Sequence, residues 1–350
     1  MEINEKGKNN ANNLKCNDFD KNKENYILIE IWSQIWCMLK LNKIEYIEQN
    51  MNIRLKLVAV GFSNGKIIII NLNTLKIHQE FKTPNTVYSL AQFKDDSKYL
   101  ICSLSNGKLF IFILNGIKYE EYQILEKPPE IKKGGINKVI TLSDGTLATA
   151  DHGSISIWKS NIEEGIKKFE FFKEIITNND TCQLLEVNPE IFVCAIYTSK
   201  LINLYKNDGY EYQLLEKIIN VESHGNNSNG MAKINDNIFC SGGKYGHIYI
   251  ISVYPIQIIQ KIIISEGLNY IRFLYNSNDG FIFTALIDKI IQYRIIKDNA
   301  DNFIQLEKYN IIEDGQDNTA IITTDDGKIF YNQKCKNNMT KMFLLEYIKK

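Results

Sequence analysis

The sequence predicts an all-β fold: a seven-bladed β-propeller whose ring is closed by an N-terminal strand. Three observations predict it. A hairpin pattern recurs along the chain, a second set of turns recurs with the same period, and the last repeat lacks a strand that the N-terminus has to spare.

The hairpin is clearest in Val58 to Leu72, V-A-V-G-F-S-N-G-K-I-I-I-I-N-L. Two apolar, β-prone runs flank Ser63-Asn64-Gly65, and Asn and Gly tolerate the positive φ that a tight turn requires. The pattern returns as L-I-C-S-L-S-N-G-K-L-F-I-F-I-L from Leu100 to Leu114, and as L-A-T-A-D-H-G-S-I-S-I-W from Leu147 to Trp158. Further copies centre on Thr198-Ser199-Lys200, on Lys244-Tyr245-Gly246-His247 and on Ile287-Asp288-Lys289, with a weak seventh over Lys336 to Met339. Self-similarity at a period of about 42 to 50 residues, in β-rich sequence, is the signature of a propeller.

Each repeat offers four strands, a to d. In the second repeat these are Val87 to Phe93, Tyr99 to Leu104, Lys108 to Leu114 and Glu121 to Leu125. The a–b turns form the second register: Asp95-Asp96-Ser97, Ser143-Asp144-Gly145, Asn188-Pro189, Asn235-Asp236-Asn237, Asn278-Asp279-Gly280 and Asp325-Asp326-Gly327. Asp, Asn, Gly and Pro are the residues that turns demand. The first repeat departs. Its a–b connection, about Asn42 to Ile53, is long enough for Ile44 to Ile47 to form extra strand.

The domain reading is a polar arm over residues 1–24 and a propeller over 25–350. The arm is rich in Asn, Lys, Asp and Glu, and cannot bury enough apolar surface to offset its ordering entropy. A docking or localisation tail is the functional use of such an arm. In the seventh repeat, Ala320 to Thr323, Ile329 to Asn332 and Met342 to Tyr347 supply strands a, b and c, and Tyr26 to Trp32 supplies the missing d. Such closure removes sheet edges that invite aggregation. In a rival register Asp325-Asp326-Gly327-Lys328 is a b–c turn and Met342 to Tyr347 is strand d.

Composition bounds the function. Lys+Arg and Asp+Glu are both 41, so the formal net charge is zero, which argues against a non-specific nucleic-acid binder. The seven cysteines are scattered with no C-x-x-C pair, as expected of free thiols in a reducing compartment. No apolar leader and no run of 18 apolar residues is visible, so neither secretion nor membrane insertion is expected. A cytoplasmic location is expected, with a nuclear one kept as the alternative.

The third copy, Leu147-Ala148-Thr149-Ala150-Asp151-His152-Gly153-Ser154-Ile155-Ser156-Ile157-Trp158, resembles the WD40 family in its strand b, Asp-containing turn and strand c ending in Trp. The resemblance spans about residues 26 to 350. Cys240-Ser241-Gly242-Gly243 keeps the family's small-residue strand b. Lys159 stands where the family has Asp, Trp158 is the one strand-c tryptophan, and no Gly-His precedes strand a. Of the family's buried hydrogen-bond network, only Asp151, Thr149 and Trp158 remain to form a part.

No constellation for chemistry emerges. His78, His152, His224 and His247 are scattered, and neither a G-x-S-x-G nor a Walker A motif occurs. His152 and His247 fall in b–c turns, where a metal pair is the functional reading and solvated turn residues the structural one. Arg54, Arg272 and Arg294 are the only arginines, too few for an arginine-clustered phosphopeptide face. Arg272 and Arg294 share the sixth repeat, where a small anion site is the functional reading.

The resemblance implies a non-catalytic protein-interaction scaffold, monomeric within a multiprotein complex, without cofactor, with other proteins as partners. The alternative is a propeller enzyme, hydrolase-like, with a site at the central channel. Aromatics and a histidine in or beside b–c turns, Phe62, His152, Tyr197 and Tyr245, are the expected partner-binding residues, since exposed aromatics on a rigid rim make good anchors.

Overall fold

The computed structural model describes residues 26–346, except 30–32, 43, 49–50, 95, 132–133, 198–200, 210, 220–229, 244–245, 265–270, 278, 287, 300–301, 314–319, 325–327 and 335–339. The expected polar arm and the turn centred on Lys336 to Met339 therefore lie outside the described residues.

The architecture is an all-β propeller. Among the described residues there is no helix, and the strands pair in seven four-stranded antiparallel sheets and one two-stranded hairpin. From inner to outer strand, sheet 1 is Ile35–Lys40, Leu57–Phe62, Lys66–Asn71 and Lys76–Lys82. Sheet 2 is Val87–Phe93, Asp96–Leu104, Leu109–Asn115 and Lys118–Leu125. Sheet 3 is Lys138–Thr141, Leu147–Ala150, Ser154–Glu163 and Ile166–Ile176. Sheet 4 is Thr181–Asn188, Ile191–Ile196, Leu201–Asn207 and Tyr212–Ile219. Sheet 5 is Met231–Lys233, Ile238–Gly242, His247–Val253 and Ile256–Ile263. Sheet 6 is Phe273–Asn276, Phe281–Ala285, Lys289–Lys297 and Phe303–Glu313. Sheet 7 is Ile321–Thr323, Lys328–Lys334 and Thr340–Glu346, with Tyr26–Ile29 antiparallel to Thr340–Phe343 on its outer side. Lys328–Lys334 thus lies between Ile321–Thr323 and Thr340–Glu346, which makes it strand b, against the rival register. Ile44–Glu48 and Met51–Leu55 make the hairpin in the long first connection.

Strand c of sheet 1 shows why these sequences build stacked sheets. Side chains alternate between faces along a strand. Ile67 and Ile69 pack with Val87, Leu100 and Cys102 of sheet 2, whereas Ile68 and Ile70 pack with Ala320, Ile322, Phe330 and Met342 of sheet 7. A run of four isoleucines is therefore needed, because both faces are core. The same holds between sheets 2 and 3, 3 and 4, 4 and 5, 5 and 6, and 6 and 7. The innermost strands touch in the same succession, and Ile321–Thr323 touches Ile35–Lys40.

Six sheets share a bulge between strands c and d. The strand-c residue just past it is Ile70, Phe112, Trp158, Tyr205, Ile251 or Tyr293, each buried. Phe112, Tyr205 and Tyr293 thus occupy the place that Trp158 holds in sheet 3. Large apolar bodies at that depth fill the widening gap between sheets, and the identity of the ring matters less than its volume.

The same bulge sets a recurrent tie between outer strands. Gln79, Gln123 and Gln260 stand opposite Ile69, Ile111 and Ile250, just before it. The Gln79 amide donates to the Tyr119 carbonyl at 2.6 Å and accepts from the Tyr119 N–H at 2.8 Å. Gln123 does the same to Phe169, at 2.8 and 3.0 Å, and Gln260 to Leu306, at 3.2 and 2.9 Å. A primary amide mimics a strand's own donor and acceptor, so each glutamine bridges one outer strand to the next.

Candidate functional site

The rim carrying the b–c turns is built from local turn chemistry. Gly65 and Gly107 hold φ of 84° and 83°, where a Cβ would also strike backbone carbonyl oxygens. Asn64 Oδ1 accepts from Lys66 N at 3.0 Å, and Asn106 Oδ1 from Lys108 N at 3.3 Å, so each Asn closes its own turn. The d–a connections lie on the same rim. Thr86 donates to the Ser63 carbonyl at 2.7 Å, and Asn106 Nδ2 to Asn85 Oδ1 at 2.7 Å. Gly134 and Gly135 pass so close to His152, the Ser105 carbonyl and Tyr88 that a side chain on either would collide.

The four residues expected to bind partners fare differently. His152 is half-exposed, and its Nδ1 lies 3.2 Å from Asp180 Oδ1. Tyr197 is half-buried against the core between sheets 4 and 5, and its N–H donates to the Asp180 carbonyl at 2.7 Å. Tyr245 lies outside the described residues. Phe62 corrects the expectation: it is 0% exposed, pairs with Ile35 and belongs to the core shared with sheet 7. It ends a strand buried on both faces, so proximity to a turn does not bring it to the surface, and it cannot be a surface anchor.

Beneath this rim in sheet 3 lies a buried polar cluster. Trp158 Nε1 donates to Thr149 Oγ1 at 3.3 Å, and Ser156 Oγ to Asp151 Oδ2 at 2.9 Å. The remaining partner is Lys127, from the d–a connection before sheet 3. Its ammonium lies 2.5 Å from Asp151 Oδ2, 3.0 Å from Glu174 Oε1 and 3.1 Å from Ser154 Oγ. The side chains of Lys127 and Asp151 are 4% and 1% exposed, so the pair is dry and its charges interact strongly. Burial raises the Asp151 carboxyl to about 6, opposed by the attraction of Lys127 and added to by Glu174. Thr181 completes the tie to sheet 4, donating to the Asp151 carbonyl at 2.7 Å. Sequence reasoning found Asp151, Thr149 and Trp158 but missed Lys127 and Glu174, which sit at no motif spacing.

A cavity of about 360 Å³ lies among the innermost strands of sheets 3 to 6, lined by Lys138, Ile140, Gln183, Leu185, Lys233 and Asn276 among others. Burial lowers the pKa of Lys138. Lys233 pairs with Asp236 at 2.6 Å, and Asn276 Nδ2 donates to the Lys233 carbonyl at 2.7 Å. Among the described lining residues there is no His, Cys, Asp or Glu. The other described histidines stay apart: His78 Nε2 bonds the Ile117 carbonyl at 2.8 Å, and His247 stands beside Tyr249. Among the described residues no group of three or more His, Cys, Asp or Glu is placed to hold a metal. Arg294 lies over the Tyr309 ring at 4.4 Å. Among the described residues no helix is long and apolar enough to cross a membrane.

No protein-family model matches the chain, and no curated protein does. Solved structures do match. A structure of U3-55K has a TM-score of 0.70 at 11% identity, covering 92% of this chain and 99% of that one. The WD40 repeats of RRP9 give 0.71 at 11% identity, covering 93% and 98%. The β-propeller domain of Cps50 (Swd1) from Myceliophteria thermophila gives 0.61 at 10% identity, covering 82% and 93%. At such identity the likeness is one of fold: the chain has a divergent WD40-like β-propeller fold.

Proposed function

We propose that this protein is a non-catalytic interaction scaffold, a subunit or adaptor of a multiprotein complex, that docks other proteins on the rim of b–c turns and d–a connections. The ring consists of seven blades, the last completed by Tyr26–Ile29. The carrying observation is the construction of the rim. Its loops are held by side-chain bonds between neighbouring sheets, such as Thr86 to Ser63, Asn137 to Thr181 and Thr181 to Asp151. They present His152 and Asp180, each half-exposed. Polar loops fixed on a rigid scaffold lose little entropy on docking, which favours binding. The similar solved structures support the reading at the level of fold, and fold alone does not give function.

The test is affinity capture with mass spectrometry, followed by rim variants. His152→Ala, Asp180→Ala and Tyr197→Ala should each weaken capture of a partner several-fold, with the melting temperature nearly unchanged in the first two. A control on the opposite rim, Asn235→Ala, should capture normally. Capture unchanged by all three rim variants would place the docking surface elsewhere.

A further inference from the structure

The connection between sheets 2 and 3, described over residues 126–131 and 134–137, is fastened to the rim at two places. Gly134 and Gly135 are wedged between the turns of the two sheets, and Ile136 N donates to the Leu104 carbonyl at 3.2 Å. At the other end, among the described residues, the charged anchor is Lys127, inside the cluster of Asp151 and Glu174. Glu126 beside it turns to Lys108 instead.

That cluster is out of balance. Two carboxylates face one ammonium, so its formal charge is −1 when all three are ionised. Asp151 Oδ2 accepts from Lys127 and Ser156, while the buried Oδ1 has no hydrogen-bond partner among the described residues. Among the described residues the charged and titratable groups around Asp151 are Lys127 from the connection, Glu174 from the outer strand of sheet 3, and on the rim His152 and Asp180, which pair with each other. An ionised Asp151 is therefore compensated by a single cation that it shares.

We propose that Lys127, Asp151 and Glu174 form a pH-sensitive latch that holds the 126–137 connection against the docking rim, tighter in acid than at neutral pH. Protonating Asp151 brings the cluster to neutrality and removes the uncompensated charge, whereas opening the connection hydrates Asp151 and restores an ordinary carboxylate. The closed state thus binds the proton better than the open one. A group with a raised pKa in the closed state gives stability that is complete below its ordinary value and is lost as pH rises through the raised one. For Asp151 that window runs from 3.8 to about 6. Opening of the connection should then be about tenfold easier at pH 7.5 than at pH 5.0.

Hydrogen exchange of peptides covering 126–137, corrected for intrinsic rates and read by mass spectrometry from pH 4.5 to 8.0, tests this on the full chain. The expected result is roughly tenfold greater protection at pH 5.0 than at 7.5, with no such change in the strands of sheet 6. Glu174→Gln leaves one carboxylate per ammonium and should move the transition to lower pH. Asp151→Asn should abolish it. Should Asp151→Asn fail to fold, the milder Glu174→Gln variant decides. Protection independent of pH in the natural protein, or a transition that Glu174→Gln does not move, would overturn the latch.

Discussion

Phe62, His152 and Lys127 show what single residues carry. Phe62 is 0% exposed among Ile35, Val60, Ile68 and Phe330. Its truncation to Ala leaves a cavity, at a cost of about 3–5 kcal/mol. His152→Ala on the exposed rim should change stability by less than about 0.5 kcal/mol. Urea denaturation of both variants measures the contrast, and equal effects would refute the burial assignment. Lys127→Met goes further than either, because it strands Asp151 and Glu174 as unpaired carboxylates in a dry site, at roughly 3–5 kcal/mol. Its loss should be partly recovered by lowering the pH from 7.5 to 5.0, since protonation removes the stranded charge. Phe62 was misread from sequence because a turn neighbour looks exposed. The uninterrupted apolar run V-A-V-G-F already signalled a strand buried on both faces. Lys127 carried no signal in sequence, because the cluster is assembled from residues 24 and 47 positions away that only pairing of the strands brings together.

Elements show a different limit. The Ser63-Asn64-Gly65 and Ser105-Asn106-Gly107 turns were legible, because local backbone demands select the residues that make them. Strand ends were less so. Strand b of sheet 2 begins at Asp96 rather than Tyr99, and strand d at Lys118 rather than Glu121, because both hairpins extend past the buried core into polar residues. The glutamine ties stayed invisible, since Gln79, Gln123 and Gln260 are unremarkable until the bulge aligns them. Each tie supplies two hydrogen bonds to backbone groups that would otherwise lack strand partners. Gln260→Ala should therefore cost about 1–3 kcal/mol and raise hydrogen exchange at Leu306 while leaving Tyr119 protected. Unchanged exchange at Leu306 would mean that solvent serves those groups equally well. The corresponding residues in sheets 3 and 4 are Lys173 and Glu216, opposite Ile157 and Leu204. The outer surface near them exposes Phe172, Leu214 and Leu215.

At the scale of the molecule, Tyr26–Ile29 pairs with Thr340–Phe343, which brings together segments far apart in the chain. The seven inter-sheet cores form an unbroken succession, and the one between sheets 7 and 1 joins Ala320, Ile322, Phe330 and Met342 to Ile35, Val60 and Ile68. Residues nearly the whole chain apart therefore share one core, which makes the ends interdependent. Met342 lies on the strand whose outer edge pairs with Tyr26–Ile29 through Tyr26–Phe343, Ile27–Met342, Leu28–Lys341 and Ile29–Thr340. Without those four residues, Thr340–Glu346 presents unpaired N–H and C=O groups beside a core strand. Losing a whole paired strand is a large change against a domain's net stability of about 5–15 kcal/mol. Removing residues 1–25 should leave the melting temperature almost unchanged. Removing 1–31 spares Ser33, which bonds Ser63 Oγ at 2.8 Å, and isolates the contribution of the strand. That shorter protein should melt on the order of 10 °C lower or aggregate. A synthetic peptide spanning residues 24–32, added in excess, should restore part of the loss by occupying the vacated edge. If the 1–31 deletion melted like the full chain and ignored the peptide, the N-terminal strand would not be what completes the ring.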